Sequence, residues 1–313
     1  VLRYLLRRVA ATLPAVAVVA VLVFLLLRIT PGDPAAILAG DAASPEQIAR
    51  IRENLGLNEP LLVQFFIWLK QIASGDLGES FYFKIRVVDL IAQRLEPTLS
   101  LALLTIVVAV LVSVPLGTLA AWRFGGWLDR SLMGFSVMGF SVPVFVLAYI
   151  LIWLLSVKLG WFPVQGFKRL SDGFGPFLYH LILPAVTLSV IYIALIARVT
   201  RASVLEALGE DYIRTARAKG LRESQVLVRH ALANAAIPIV TVVGIGVALL
   251  IGGVVVTESV YAIPGLGRLT VDAVLARDFP TIQGLILFFS LLYVLVNLLV
   301  DLSYVVFDPR IRY

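Results

Sequence analysis

The chain has no cysteine and only two histidines and two methionines. Disulfides and thiolate metal sites are therefore excluded, and two histidines make a poor imidazole centre. Charge is also scarce. Of 313 residues, 15% are charged and 60% hydrophobic, and the mean hydropathy is +0.97. A water-soluble globule of that make-up would carry more apolar surface than it could bury, so the chain reads as an all-α polytopic membrane protein. It lacks the phosphate-cradling loop G-x-x-x-x-G-K-[ST] and is not expected to hydrolyse ATP. No paired carboxylates, Ser-Lys dyad or metal cluster occurs within its apolar runs, so there are no candidate catalytic, cofactor-binding or metal-ligating residues.

What it has in abundance is apolar sequence. A membrane crossing needs roughly 20 such residues, and six runs qualify: about 9 to 29, 98 to 122, 132 to 157, 179 to 199, 236 to 257 and 282 to 306. The first follows Arg3, Arg7 and Arg8 and is long without a small-residue cleavage site, as expected of an uncleaved anchor. Basic residues concentrate at the amino terminus, in the second loop (Arg123, Arg130), in the fourth (Arg198, Arg201, Arg214, Arg217, Lys219, Arg222, Arg229) and in the tail (Arg310, Arg312). The opposite short loops carry only Lys158, Lys168, Arg169, Arg268 and Arg277. That bias places both termini and the fourth loop in the cytoplasm.

The segment 30–97 has its own pattern. Ser44-Pro45-Glu46-Gln47 offers an N-cap, a first-turn proline and a Gln at the third helical position, predicting a helix that runs to Gly56. A second helix is expected after Pro60, with Leu61, Leu62, Phe65, Phe66, Leu69 and Ile72 forming an apolar stripe that Gly75 closes. Such a stripe suits a capping subdomain that shields helix ends or a ledge for an extracytoplasmic partner, and it could lie on the membrane or against the bundle.

None of the six runs has an Asp, Glu, Lys or Arg in its central portion; Arg28, Glu258 and Asp301 fall at predicted ends. Ion-coupled carriers usually hold their coupling ion on ionisable groups near the midplane. If transport is driven, the energy must arrive from another polypeptide. The one long polar interruption, Glu210 to Asn234, is a suitable receiver. It is basic, yet Ile213, Ala216, Leu221, Val226 and Leu227 recur at helical spacing around Gly220, predicting two short helices with a kink.

This stretch resembles the cytoplasmic loop of binding-protein-dependent ABC importer permeases of the dipeptide, oligopeptide and nickel branch. The branch pattern D-Y-I-x-x-A-R-A-K-G-L is matched from Asp211 to Leu221, and its H-x-L-x-N sequel at His230, Leu232 and Asn234. The broader family pattern is matched less closely. Arg214, Thr215 and Ala216 stand where it has acidic-Ala-Ala, and Leu232-Ala233 where it has Leu-Pro, the proline being displaced to Pro238. Further fragments of the same resemblance are Thr257 to Gly267, Arg277 to Pro280, Phe140 to Phe145, Pro31 to Pro34 and the tail Asp308 to Tyr313, in matching order over nearly the whole chain.

The resemblance implies a six-helix, type I importer (MetI-like) fold. Its parts would be an anchor and first helix (1–29), a helical extracytoplasmic segment (30–97), a five-helix core (98–306) with a coupling loop at 200–235, and a tail (307–313). It further implies residence in the bacterial inner membrane, a second similar permease, one or two ABC ATPases, an extracytoplasmic binding protein, and no nucleic-acid partner. ATP and magnesium would sit in the ATPases and no cofactor in this chain. The ATPase-facing residues would be Asp211, Tyr212, Arg214, Ala216, Arg217, Ala218, Lys219, Gly220 and Leu221. Ala216, Ala218 and Gly220 would give the close approach and the turn. Peptides are the first expected cargo, with nickel chelates, glutathione-like thiols and sugars as alternatives within the same class; a secondary carrier or channel is the rival class. Lining residues of the pathway are not assigned.

Small and rigid residues complete the expectations. Gly244, Ala248 and Gly252 form a small-residue stripe expected to meet a helix of the same chain. Pro115, Pro143 and Pro184 either kink their helices or are simply tolerated. His180 is expected at the outer interface and His230 as a helix-terminal hydrogen-bonder, with Trp122, Trp127, Trp153 and Trp161 as interface anchors.

Overall fold

The computed structural model describes residues 2–29, 35–36, 44–54 and 56–307, and these are helical with no strand among them. The motifs expected at Pro31 to Pro34 and Asp308 to Tyr313 lie outside the described residues. In chain order the helices are α1 (Leu2–Ile29), α2 (Pro45–Asn54), α3 (Leu61–Ala73), α4 (Val87–Trp122), α5 (Trp127–Ser141), α6 (Val144–Leu151), α7 (Phe174–Leu208), α8 (Asp211–Ala218), α9 (Glu223–Gln225), α10 (Ala236–Val260), α11 (Leu266–Leu275) and α12 (Phe279–Phe307). Wider π-type turns extend α6 through Ile152–Lys158 and α9 through Val226–Leu232.

Among the described residues four helices, α4, α7, α10 and α12, are long and apolar enough to cross a bilayer. The run expected as one span at 132–157 is instead two helices, α5 and α6 with its extension, bent by 103°. The break falls where the chain must be extended: Val142 precedes proline and adopts φ −91, ψ 119, and Pro143 itself sits at φ −58, ψ 137. Pro115 and Pro184 lie inside unbroken α4 and α7. The first run forms a 28-residue helix, with an apolar stretch Ala11–Leu25 among the described side chains. Among the described residues there are thus four helices long and apolar enough to cross, or five with the bent pair taken as one span, against the six expected.

The chain divides into two compact units. One comprises Leu95–Arg268 with the stretch from Leu295. Its axis is α7: 61% of the apolar window of that helix is buried, against 22% for α4 and 33% for α10, so α7 is the helix the others surround. Leu181, Leu188, Tyr192 and Ile196 of α7 form the core with Leu101 of α4, Leu250 and Val254 of α10, and Tyr261 and Ile263 beyond it. Tyr261 shares a hydrogen bond with Thr187 at 2.7 Å, and its carbonyl accepts from the Gly166 amide at 2.9 Å. Glycine sets how near the neighbours come. A Cβ on Gly117 of α4 would lie 2.6 Å from the Ala197 carbonyl oxygen, and one on Gly244 of α10 would lie 2.3 Å from Val300 of α12. Gly244 therefore makes the expected contact inside the chain, whereas Gly252 has no atom within 4 Å to meet.

The second unit comprises Leu2–Arg94 and Leu269–Val294. The capping box at α2 forms as expected, Ser44 Oγ accepting from the Gln47 amide and Gln47 Oε1 from the Ser44 amide. Gly75 follows α3 at φ +83. Gln64 of α3 is buried and saturated: Oε1 accepts from Arg28 Nε and Nη2 at 3.1 and 2.8 Å, and Nε2 donates to the Leu57 and Glu59 carbonyls. Phe24 stacks edge-on to Phe65 with centroids 5.1 Å apart and under the Arg28 guanidinium at 3.5 Å. Asp278 caps α12, accepting from Thr281 and Ser80 hydroxyls and from the Phe81 amide at 2.9 Å.

Gly117→Val is expected to push α4 off α7, costing about 1–3 kcal/mol as overpacking does. Gly134→Ala, where an added Cβ meets nothing within 4 Å, should be neutral or slightly stabilising. Thermal unfolding of the detergent-solubilised chain distinguishes the two.

Candidate functional site

The polar interruption folds as a docked elbow. α7 ends at Gly209, and α8 opens at Asp211 after an extended Glu210, an acid in the first turn where the helix dipole favours it. Ile213 and Ala216, three residues apart, share one buried face. They pack on Val204 and Ala207 of α7 and on Val226, Leu227, Ala231, Ala235 and Ile239. The opposite face carries Tyr212, Arg214, Ala218 and Lys219 into solvent. Burial and the nearby Glu210 carboxylate push the Tyr212 hydroxyl above its usual range.

The turn after α8 is closed by a Schellman pair. The Leu221 amide donates to the Ala216 carbonyl at 3.4 Å and the Gly220 amide to Arg217 at 2.9 Å, with Gly220 at φ +77. Arg217 reaches across the turn to grip Glu223 through Nε at 2.8 Å and Nη2 at 3.2 Å. Arg214 pairs with Asp211 at 3.2 Å on an exposed surface, where such pairs contribute little. Of the small residues expected at the partner contact, Ala218 faces outward, Ala216 is turned into the chain's own core, and Gly220 serves the turn. His230 is half-buried in the π-type turn, its carbonyl accepting from Asn234.

One feature at the base of the elbow was not anticipated from sequence. Arg201, assigned to the fourth loop, lies within α7 and forms a bidentate ion pair with Asp129 in the first turn of α5, one arm being Nη2 to Oδ2 at 2.9 Å. The side chains are 17% and 5% exposed. The Gly125 amide donates to the same carboxylate at 3.0 Å, and the Arg201 guanidinium lies over the Phe124 ring. Arg198, also assigned to the loop, sits over Phe140 from the same helix. The signal available in sequence was an acidic residue just after Gly125-Gly126 and Trp127, the position of a helix first turn.

A second buried carboxylate closes the other end of α10. Glu258 is fully buried; its Oε1 accepts from Thr98 Oγ1 at 2.6 Å and its Oε2 from the Arg268 amide at 3.0 Å, while Thr98 Oγ1 accepts from the Leu266 amide at 2.8 Å. The charge thus faces the amide-rich N-terminus of α11. Gly265 and Gly267 make room: a Cβ on Gly265 would lie 2.1 Å from Glu258 Oε1, and one on Gly267 would lie 3.0 Å from Oε2. In the Pro264-Gly265-Leu266-Gly267 motif Gly265 leaves space for the carboxylate, and Gly267 also for the Val255 backbone, whose Cα an added Cβ would meet at 2.7 Å.

A helical bundle with a docked, basic elbow is the arrangement expected of an importer permease, and comparison with known proteins agrees. Residues 113–313 match the family of binding-protein-dependent transport system inner membrane components, and residues 1–102 match the N-terminal region of the same membrane components. The chain belongs to this family. It is an ABC importer permease. It is 54% identical over 310 residues to a probable peptide ABC transporter permease of Sinorhizobium fredii, covering 99% of both chains. A putative peptide transport system permease of Brucella abortus is 47% identical, covering 99% of this chain and 98% of its own. A glutathione transport system permease of Escherichia coli is 44% identical, covering 100% of this chain and 99% of its own. The fold is also that of a chain in inward-facing conformations of the MetNI methionine ABC transporter, with TM-score 0.58 and 19% identity over 70% of this permease and 96% of the other.

Removing one half of the buried clasp leaves a charge in a poorly hydrated site, so Asp129→Ala is expected to destabilise the permease by about 3–5 kcal/mol. Arg214→Ala, at the exposed pair, should shift stability by less than about 1 kcal/mol. Both are read by thermal unfolding in detergent, and equal shifts would contradict this assignment.

Proposed function

We propose that this permease forms, with a second similar permease, the pathway of an importer for peptides handed over by an extracytoplasmic binding protein, powered by ABC ATPases that dock on the α8 elbow. The carrying observation is the elbow itself: α8 is held on α7 by Ile213 and Ala216 while its other face leaves Tyr212, Arg214, Ala218 and Lys219 open. Asp211, Arg217, Gly220 and Leu221 shape or flank that surface. ATP and magnesium would reside in the ATPases. The excess of Lys and Arg in the elbow and at both ends supports a cytoplasmic position for all three. Peptide cargo is favoured by the names of the relatives at 54% and 47% identity. The relative at 44%, named for glutathione, supports a second reading within the same chemistry, since glutathione is itself a small peptide.

In this reading ATP binding draws the ATPases together, and the elbow carries that displacement into α7. The two states are distinguished by contacts that the ATPases make in one and lose in the other. Nothing in the cycle requires covalent chemistry by the permease.

The chain, purified with its partner subunits and reconstituted, should take up di- or oligopeptide only with ATP and binding protein present; uptake by this polypeptide alone would overturn the proposal. Gly220→Val places a β-branched residue at φ +77, a strain of about 1–2 kcal/mol. An added Cβ there meets no atom within 4 Å, so the effect comes through the backbone. Peptide taken up per ATP hydrolysed should fall several-fold, whereas Gly220→Asn, which tolerates that conformation, should stay near wild type. Equal coupling in both would remove Gly220 from the mechanism.

A further inference from the structure

We propose that α3 is a membrane-surface helix, lying in the boundary between lipid headgroups and acyl chains with its apolar side in contact with lipid. The helix is apolar nearly all round. Leu61 is 58% exposed, Leu62 74% and Phe66 64%, with Val63, Ile67 and Leu69 also exposed, and Lys70 is its one charged residue. Its 13 residues span about 20 Å at the helical rise, too short for the roughly 30 Å hydrocarbon layer. A helix of that composition and length fits neither bulk water nor a crossing; it fits the interface.

Two contacts fix the level at which it lies. Phe65 and Trp68 of α3 pack on Phe24, in the penultimate turn of α1, and buried Gln64 takes the Arg28 guanidinium from the last turn. Arg28 ends the apolar run of α1, and its guanidinium is held there over the Phe24 ring by the Phe24 carbonyl and Gln64, so this is the level at which the helix carries its charge. Gln64 and the carbonyls it bonds form the polar seam of α3 at that level. The exposed apolar residues of α1, among them Leu13, Val18 and Leu22, belong to the same unit as the exposed residues of α3, and both sets call for the same covering medium. Lipid is preferred to a protein partner because α3 adjoins the end of α1 through Phe24, and the exposed side chains of α1 belong to an apolar run made for hydrocarbon.

The absence of cysteine makes the test direct. Single variants Leu62→Cys and Phe66→Cys in the full chain, labelled with a bimane fluorophore, are reconstituted into phosphatidylcholine–phosphatidylglycerol vesicles. Glu59→Cys, on the exposed turn before α3, and Leu13→Cys, on α1, serve as water-facing and lipid-facing controls. The labels at 62 and 66 should lose most of their emission when the phosphatidylcholine is replaced by its dibrominated form, and aqueous iodide should have little effect on them. Quenching by iodide would place α3 in water, and insensitivity to both quenchers would show a protein cover; either result overturns the proposal. The readout involves neither ATP nor uptake, so failure of the importer reading would leave it unaffected.

Discussion

A charge has no cheap place in this molecule, and the architecture follows from where its carboxylates are put. Buried in a low-dielectric setting, an ionised group must find a counter-charge or several donors. Three buried carboxylates do so at helix starts. Asp129 lies in the first turn of α5 and takes Arg201 and the Gly125 amide. Glu258 faces the first amides of α11. Asp278 caps α12 and draws in Ser80 and Phe81. Each site joins segments far apart in sequence, so the same bonds that satisfy the charge also fix which helices are neighbours.

Between those polar points the bundle is held by close approach. Lipid competes equally for apolar side chains, so helices in a membrane gain most from fitting together tightly. Gly117 against Ala197 and Thr200, and Gly244 against Val300, are such fits. The large apolar side chains are divided accordingly: from Leu188 onward those of α7 are mostly turned inward, while many on α4, α10 and α12 are left outward.

Much of this was legible in the residues. Apolar runs located the long helices, Ser44 to Gln47 gave the start of α2, and Gly220 gave the turn of the elbow, because each of these is decided by neighbours a few residues away. What was less legible depends on residues distant in the chain. Arg198 and Arg201 were counted with the basic residues of the fourth loop, yet both lie within α7 and Arg201 meets an aspartate 72 residues earlier in the chain. Ala216 read as a small residue for a partner groove, and its burial depends on Val226 and Ala231 folding back over it. Pro143 sits at a break where Val142 is extended, while Pro115 and Pro184 lie inside unbroken helices, a difference the residues alone leave open.

α7 is 35 residues long, about 52 Å at the helical rise, and beyond Pro184 no proline interrupts its hydrogen bonds. Its last turns seat the elbow and its middle carries Leu188, Tyr192 and Ile196 at the heart of the bundle. No hinge or slack connector separates the two. The elbow and the packed centre of the bundle are thus seated on one and the same helix, so the proposed docking surface and the core share a single lever.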